Sequence, residues 1–340
     1  MIVYPYAVVK TPIGAVLSVS SLFSLVKFKL NLPQSDSTKP NTLLGWVRRK
    51  AKSQSKFLLS LLAVVSCLLP LAFSLPLSAV QLQVTPSNPQ LGDTLSVIFQ
   101  VDSQSSENPR VSMKGETYPA FPMGGNRYRA FVPTTPLDKP GQLAIQVAGD
   151  GDVKTLAVSL RDRKFPVQRI TLPPGKAGQS ATEFELNRVA ALKKLATPEK
   201  FWNGAFRQPN KGRISSVYGV RRYYNGKFAN DYYHRGVDYA GGYGSAVTAP
   251  AAGRVAMVGR VSQGFRVHGN AVGIDHGQGV TSIFMHLSRI DVQEGDIVQP
   301  GQRIGAIGST GASTGPHLHW GLYVNGKSID PAPWRGSGVE

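Results

Sequence analysis

Residues 294–320, EGDIVQPGQRIGAIGSTGASTGPHLHW, hold the stretch that decides the fold of the C-terminal half. Residues 303–307 read as a short strand, and residues 308–315 as a glycine-rich turn leading into His317-Leu318-His319. On a strand, residues i and i+2 face the same side, so His317 and His319 point into one site while Leu318 points away.

Upstream, short strands recur at residues 253–258, 271–275 and 281–285, and downstream at 319–324, with dense glycine between them. No amphipathic run of helix length follows Ile214, so the region is expected to be a compact all-β domain. All six histidines fall inside it. HRGVD places His234 and Asp238 four residues apart. A catalytic zinc needs about three protein ligands and an open position for water. His234, Asp238 and one histidine of the HLH pair supply such a set. His286, in MHLS at the end of the 281–285 strand, is placed to reach the same site. His276, in IDHG, is expected to order a turn, and His268, in a basic loop, to be solvated.

The blocks HRGVD, TAPAAGRVAMVGR, GNAVGIDHG, FMHLS and EGDIVQPGQRIGAIGSTGASTGPHLHW occur in this order over about residues 214–333. That succession resembles the lysostaphin-type, LytM-like zinc endopeptidases, the β-lytic metallopeptidases. The resemblance implies a zinc peptidoglycan hydrolase with His234, Asp238 and His319 as metal ligands. It also implies that His286 and His317 are the catalytic histidines. The chain lacks H-E-x-x-H, so no motif glutamate serves as base, and His286 and His317 are left to move protons and steady the oxyanion. Arg221, in the YGVR block, with Tyr232 and Tyr233, is expected to line the substrate groove. Residues 222–231, RYYNGKFAND, depart from the shorter, proline-containing approach common in the family, which leaves the groove wall open.

The rest of the chain divides around this domain. In residues 80–160, apolar residues alternate at Leu95, Val97, Phe99 and Val101, at Leu143, Ile145 and Val147, and at Leu156, Val158 and Leu160. Period-two alternation between turn clusters predicts an immunoglobulin-like β-sandwich with an accessory role. Residues 161–200 read as a linker with one extended segment, 167–172, and a short helix opening at Thr182. Thr182 and Glu185 form a capping box there, and Leu186, Val189, Leu192 and Leu195 an apolar face. Residues 201–334 are then the LytM-like metallopeptidase domain, and the fold class is mainly β throughout.

Residues 1–79 are a leader. An uncharged apolar run, 57–79, follows the basic stretch 48–56, the layout of a secretory signal peptide. An uncleaved membrane anchor is the alternative, weakened by Pro70 and Pro76. Lipid attachment at Cys67, the only cysteine, is opposed by the apolar residues after it. Residues 1–46 precede the signal awkwardly, which is read either as a translation start near Leu44 or Val47 or as a long n-region with a second weakly apolar segment, Ala15 to Val26.

The 340 residues carry 38 Lys and Arg against 20 Asp and Glu, a net charge of +18. Downstream of residue 79 there are still 29 basic and 19 acidic residues, so anionic polymers of the cell envelope are expected partners. No aromatic–basic motif or recognition helix supports nucleic-acid binding. Cysteine-free sequence after Cys67 excludes a disulfide framework and a cysteine zinc site. The expectation is an extracytoplasmic hydrolase of peptidoglycan peptides. The first substrate expected is a cross-link between D-alanine and a diamino acid, and the second a glycine bridge. The alternative is a catalytically silent or autoinhibited regulator that binds the wall.

Overall fold

The computed structural model describes residues 82–101, 109–149, 153–171, 180–336 and 338–339. The leader, with its signal, anchor and lipid-attachment expectations, lies outside the described residues. Among the described residues no helix is long and apolar enough to cross a membrane. The chain is mainly β, with antiparallel sheets and few helices.

The alternating segments form two four-stranded antiparallel sheets. One runs Gln83–Thr85, Thr94–Gln100, Arg127–Pro133, Phe121–Gly124; the other runs Glu116–Pro119, Arg110–Met113, Gly141–Ala148, Val153–Leu160. Their facing sides share one core, in which Leu95, Val97 and Phe99 meet Val111, Ile145, Val147 and Leu160. Gly141–Ala148 shows the expected alternation of buried and exposed residues. Thr94–Gln100 does not: Thr94 and Ser96, on its other face, are buried as well. That face is covered by the C-terminal half. Phe131, on the neighbouring strand, stacks at 6.0 Å from Trp202 and 5.6 Å from Trp334, ring centroid to centroid. It belongs to the core of the C-terminal half rather than its own. Arg129 donates to Gln278 Oε1 at 2.8 Å, and Asn325 Nδ2 to the Phe131 carbonyl at 2.7 Å.

The C-terminal half is built on a ten-stranded antiparallel sheet. Its main path is Arg213–Ser216, Val237–Ala240, Leu318–Val324, Val280–Ile290, Asn270–Gly277, Gly253–Gly259, Ile297–Val298. The expected strands all appear, some extended by a few residues. Helices are confined to one 3-10 turn, Val261–Gln263, and one short helix, Pro331–Arg335.

The connecting region is more engaged than a linker. Val167–Ile170 pairs in parallel with Arg221–Tyr224. The helix Glu183–Lys193 is capped by Thr182, whose hydroxyl accepts from the Glu185 amide at 3.1 Å. Two details differ from expectation. Leu186 is exposed, while Val189 and Leu192 pack on Met257, Phe265, Ile283 and Met285. Glu185 does not complete a capping box, because it is fully buried and its carboxylate turns inward to a loop of the C-terminal domain.

Candidate metal centre and cleft

Sheet register brings the motif residues together. Asp238 sits opposite Ser216 on one side and His319 on the other, and His319 sits opposite Met285. One row across four strands therefore delivers a carboxylate, an imidazole and the residue before His286 to the same face. A slip of one residue at either pairing would turn a ligand to the opposite face.

His234 enters from the loop before Val237–Ala240. Its Nδ1 lies 2.8 Å from the Val217 carbonyl, so that nitrogen donates and Nε2 carries the lone pair. His234 Nε2 is 3.2 Å from Asp238 Oδ1 and 3.2 Å from His319 Nδ1, and His319 Nδ1 is 2.9 Å from Asp238 Oδ1. Among the described residues, these three form the group able to hold a metal ion. Donors about 2.0–2.1 Å from one tetrahedral ion lie about 3.3 Å apart, so two imidazoles and a carboxylate at this spacing fit zinc. Gly236 makes the approach feasible, since a Cβ there would meet His319 Nε2 at 2.7 Å and the Trp320 carbonyl at 2.4 Å.

The protonation states agree with ligation. Burial opposes ionisation of Asp238, but the neighbouring His234 and His319 outweigh it and hold the carboxyl well below its ordinary range. Burial, against the pull of Asp238, pushes the His319 imidazole down to about 4. Both groups therefore present lone pairs at neutral pH.

His286 and His317 stand beside this trio with ring centroids 4.8 Å apart. His286 takes a left-handed backbone conformation, φ 63°, within the irregular register of Val280–Ile290. Such a bulge re-aims a side chain out of the strand's alternation. Its Nδ1 lies 2.9 Å from the Thr310 carbonyl, and His317 Nδ1 lies 2.8 Å from the Gly315 carbonyl. Each ring thus donates through Nδ1, which leaves its Nε2 for the cleft. Burial, with the neighbouring His317 and His319, pushes His286 down to about 3. The glycine-rich turn supplies both carbonyls. It lies backbone against backbone on the 267–269 loop, where a Cβ on Gly311 would meet the Gly269 amide at 2.4 Å.

The cleft is also lined by Lys193, Arg222, Tyr232, Tyr233, Arg235 and His268. Of the three groove residues expected from sequence, Tyr232 and Tyr233 are at the cleft. Tyr233 is nearly buried, with its hydroxyl donating to Ser328 O at 3.3 Å. Arg221 is not brought there: it donates to the carbonyls of Asn230 and Pro136 and stacks over Phe228. On a strand its neighbour points the other way, and that neighbour, Arg222, lines the cleft.

The expectation for His268 is corrected. It is buried, its Nδ1 lies 2.6 Å from Glu185 Oε1, and the same carboxylate accepts from the amides of Arg266, Val267 and His268. Sequence reasoning had no route to this pair, since the residues are 83 apart and on different elements. His276 is fully buried within a strand, bonded to the Ala252 carbonyl and Ser282 Oγ, rather than ordering a turn.

Residues 232–331 match the model of peptidase family M23. A solved Pseudomonas aeruginosa structure described as a peptidase M23 is 28% identical, covers 74% of this chain and 96% of its own, and superposes with a TM-score of 0.55. Residues 232–331 are a peptidase family M23 domain. Among curated relatives, an uncharacterised metalloprotease of Haemophilus influenzae is 29% identical over 69% of this chain and 47% of its own length. The DD-carboxypeptidase/endopeptidase Mpg of Neisseria meningitidis is 41% identical over 35% of this chain and 26% of its own. The murein hydrolase activator NlpD of Escherichia coli is 32% identical over 40% and 31%. The chain therefore spans less than half the length of these curated relatives.

Proposed function

We propose that this M23 chain is a zinc-dependent endopeptidase that hydrolyses peptide cross-links of bacterial peptidoglycan outside the cytoplasm. The observation that carries the reading is the trio His234, Asp238 and His319, spaced for one ion, with two further imidazoles beside it. Bound zinc would supply a water acidic enough to ionise near neutral pH and a Lewis acid for the scissile carbonyl. His234, Asp238 and His319 would hold the ion. Burial keeps His286 neutral, and each ring engages a carbonyl through Nδ1, so an Nε2 facing the cleft is available to take the proton of the attacking water. The imidazolium so formed hands that proton to the leaving amine as the peptide C–N bond breaks, and bound zinc would stabilise the oxyanion formed before it. The Thr310 and Gly315 carbonyls fix both tautomers before substrate arrives.

The peptidoglycan substrate follows from the names of the relatives and from the export-like leader. The two sheets of residues 80–160 are read as an immunoglobulin-like accessory domain, residues 161–200 as the connection and residues 201–334 as the catalytic domain. Residual basic charge suits anionic envelope polymers, and the leader either a cleaved signal or a membrane anchor.

The second reading, a silent regulator of other wall hydrolases, draws on the activator among the relatives. The complete donor set favours hydrolysis over it. Incubating the zinc-loaded chain with purified peptidoglycan, with and without chelator, decides between them. The hydrolase releases peptides only without chelator. No release in either arm, together with stimulation of a separate wall hydrolase, establishes the regulator.

A further inference from the structure

Arg222 is an unusual charge to find in a cleft wall. It is 8% exposed and lines the same cleft as the metal-binding trio. Its strand lies parallel to Val167–Ile170 with Arg222 opposite Gln168, and its Nε donates to Gln168 Oε1 at 3.0 Å. Its Nη1 donates to the Tyr232 hydroxyl at 2.5 Å, and the guanidinium lies 5.2 Å from the centroid of that ring. Both partners are neutral, since burial raises the Tyr232 hydroxyl to about 12. Among the described residues, Nη2 has no hydrogen-bond partner and no carboxylate pairs with this arginine.

A nearly buried guanidinium without a counter-charge is costly to maintain, and the cost is offset when an anion completes the site. The surroundings point to the same ligand. Lys193 and Arg235 also line the cleft, and the one acidic lining residue, Asp238, belongs to the metal trio. A planar guanidinium fixed through two of its nitrogens is pre-organised for a carboxylate.

We propose that Arg222 is a specificity-determining residue that binds a free carboxylate on the substrate peptide. The inference rests on the peptidase reading and deepens it. It assigns the cleft to acidic cross-links and against glycine bridges, which carry no carboxylate beside the scissile bond. The carboxylate has two sources, the side chain of a diamino acid or the terminal α-carboxylate of the peptide. Gln168 and Tyr232 are the positioning residues, so the connecting region takes part in substrate choice although it lies outside the family-matched segment.

The test uses the full zinc-loaded chain and synthetic cross-linked peptides in three forms: free acid, amidated at the diamino-acid side chain, and amidated at the C-terminus. With the wild-type chain, amidation at one of the two positions raises KM at least tenfold and identifies the source. Arg222→Gln raises KM for the free acid to the same extent, leaves zinc content and kcat within twofold, and abolishes the difference between acid and amide. Arg222→Lys restores part of the loss. The proposal is overturned when amidation at both positions changes KM less than twofold, or when the effects of Arg222→Gln and amidation multiply independently. Should Arg222→Gln not fold, Gln168→Leu, which loosens the guanidinium without removing it, takes its place with the same two outcomes. Should the wild-type chain cleave none of the peptides, the peptidase reading fails on its own. The preference is then read from calorimetric Kd values, where at least tenfold weaker binding of an amide supports the carboxylate site and equal binding overturns it.

Discussion

Glu185 and His268 form a buried pair, Oε1 to Nδ1 at 2.6 Å, that joins the helix Glu183–Lys193 to the wall of the M23 cleft. Burial opposes the charge on Glu185, but the bonds from His268 and from backbone amides outweigh it and hold its carboxyl below the usual range. Glu185→Gln keeps the shape and removes the charge that three backbone amides and one imidazole share. Losing a buried charged acceptor costs about 1.5–3 kcal/mol. A lowered denaturation midpoint with unchanged zinc stoichiometry is the expected result.

Removing a ligand separates binding from chemistry. His234→Ala, Asp238→Ala and His319→Ala are each expected to lose zinc on gel filtration and to lose activity with it. Metal analysis of the purified variants checks this. A variant that retains one equivalent of zinc removes that residue from the ligand set.

His286→Ala and His317→Ala are expected to keep zinc and to lower kcat by about 10²–10⁴-fold, the range for an acid–base group. Steady-state kinetics beside metal analysis separates these variants from the ligand variants. The double variant is expected to lose less than the product of the two single effects, because the residues act as a unit.

His276 makes stability depend on pH. Burial pushes its folded-state imidazole down to about 4 from an ordinary 6.5. Between those values the unfolded chain binds a proton that the folded chain refuses, so stability is full above 6.5 and falls as pH drops. The whole window is worth on the order of 3 kcal/mol. Denaturant titrations across this range should show the slope, and His276→Gln should reduce it by the His276 share, leaving the part due to the other buried imidazoles, His286 and His319.

Trp334 bonds to Thr94 Oγ1 through Nε1 at 3.4 Å and stacks against Phe131, Trp202 and Phe206. Trp334→Ala removes the centre of this cluster at a cost of about 3–5 kcal/mol. Calorimetry is expected to show one transition for the wild-type chain and two for the variant, as the sheets of residues 80–160 uncouple from the M23 domain.

Much of this was legible along the chain. Strands such as Gly141–Ala148 announced themselves by local alternation, a property of neighbouring residues. The trio was legible because HRGVD and HLH keep the candidate donors in short motifs. Arg222 was not, because choosing between it and Arg221 requires knowing which face of one strand meets the cleft. Thr94 and Ser96 were not, because polar residues on an outward face look solvated until another domain covers them.

By itself the sequence determined the β-rich class, the M23 motifs and the residue types able to hold a metal, since these follow from periodicity and donor chemistry within a few positions. The tertiary structure decided the partners: Glu185 with His268, Arg222 with Gln168 and Tyr232, and Phe131 with Trp334. Each of those contacts joins separate elements, and pairing between distant segments depends on register and packing that no local pattern encodes.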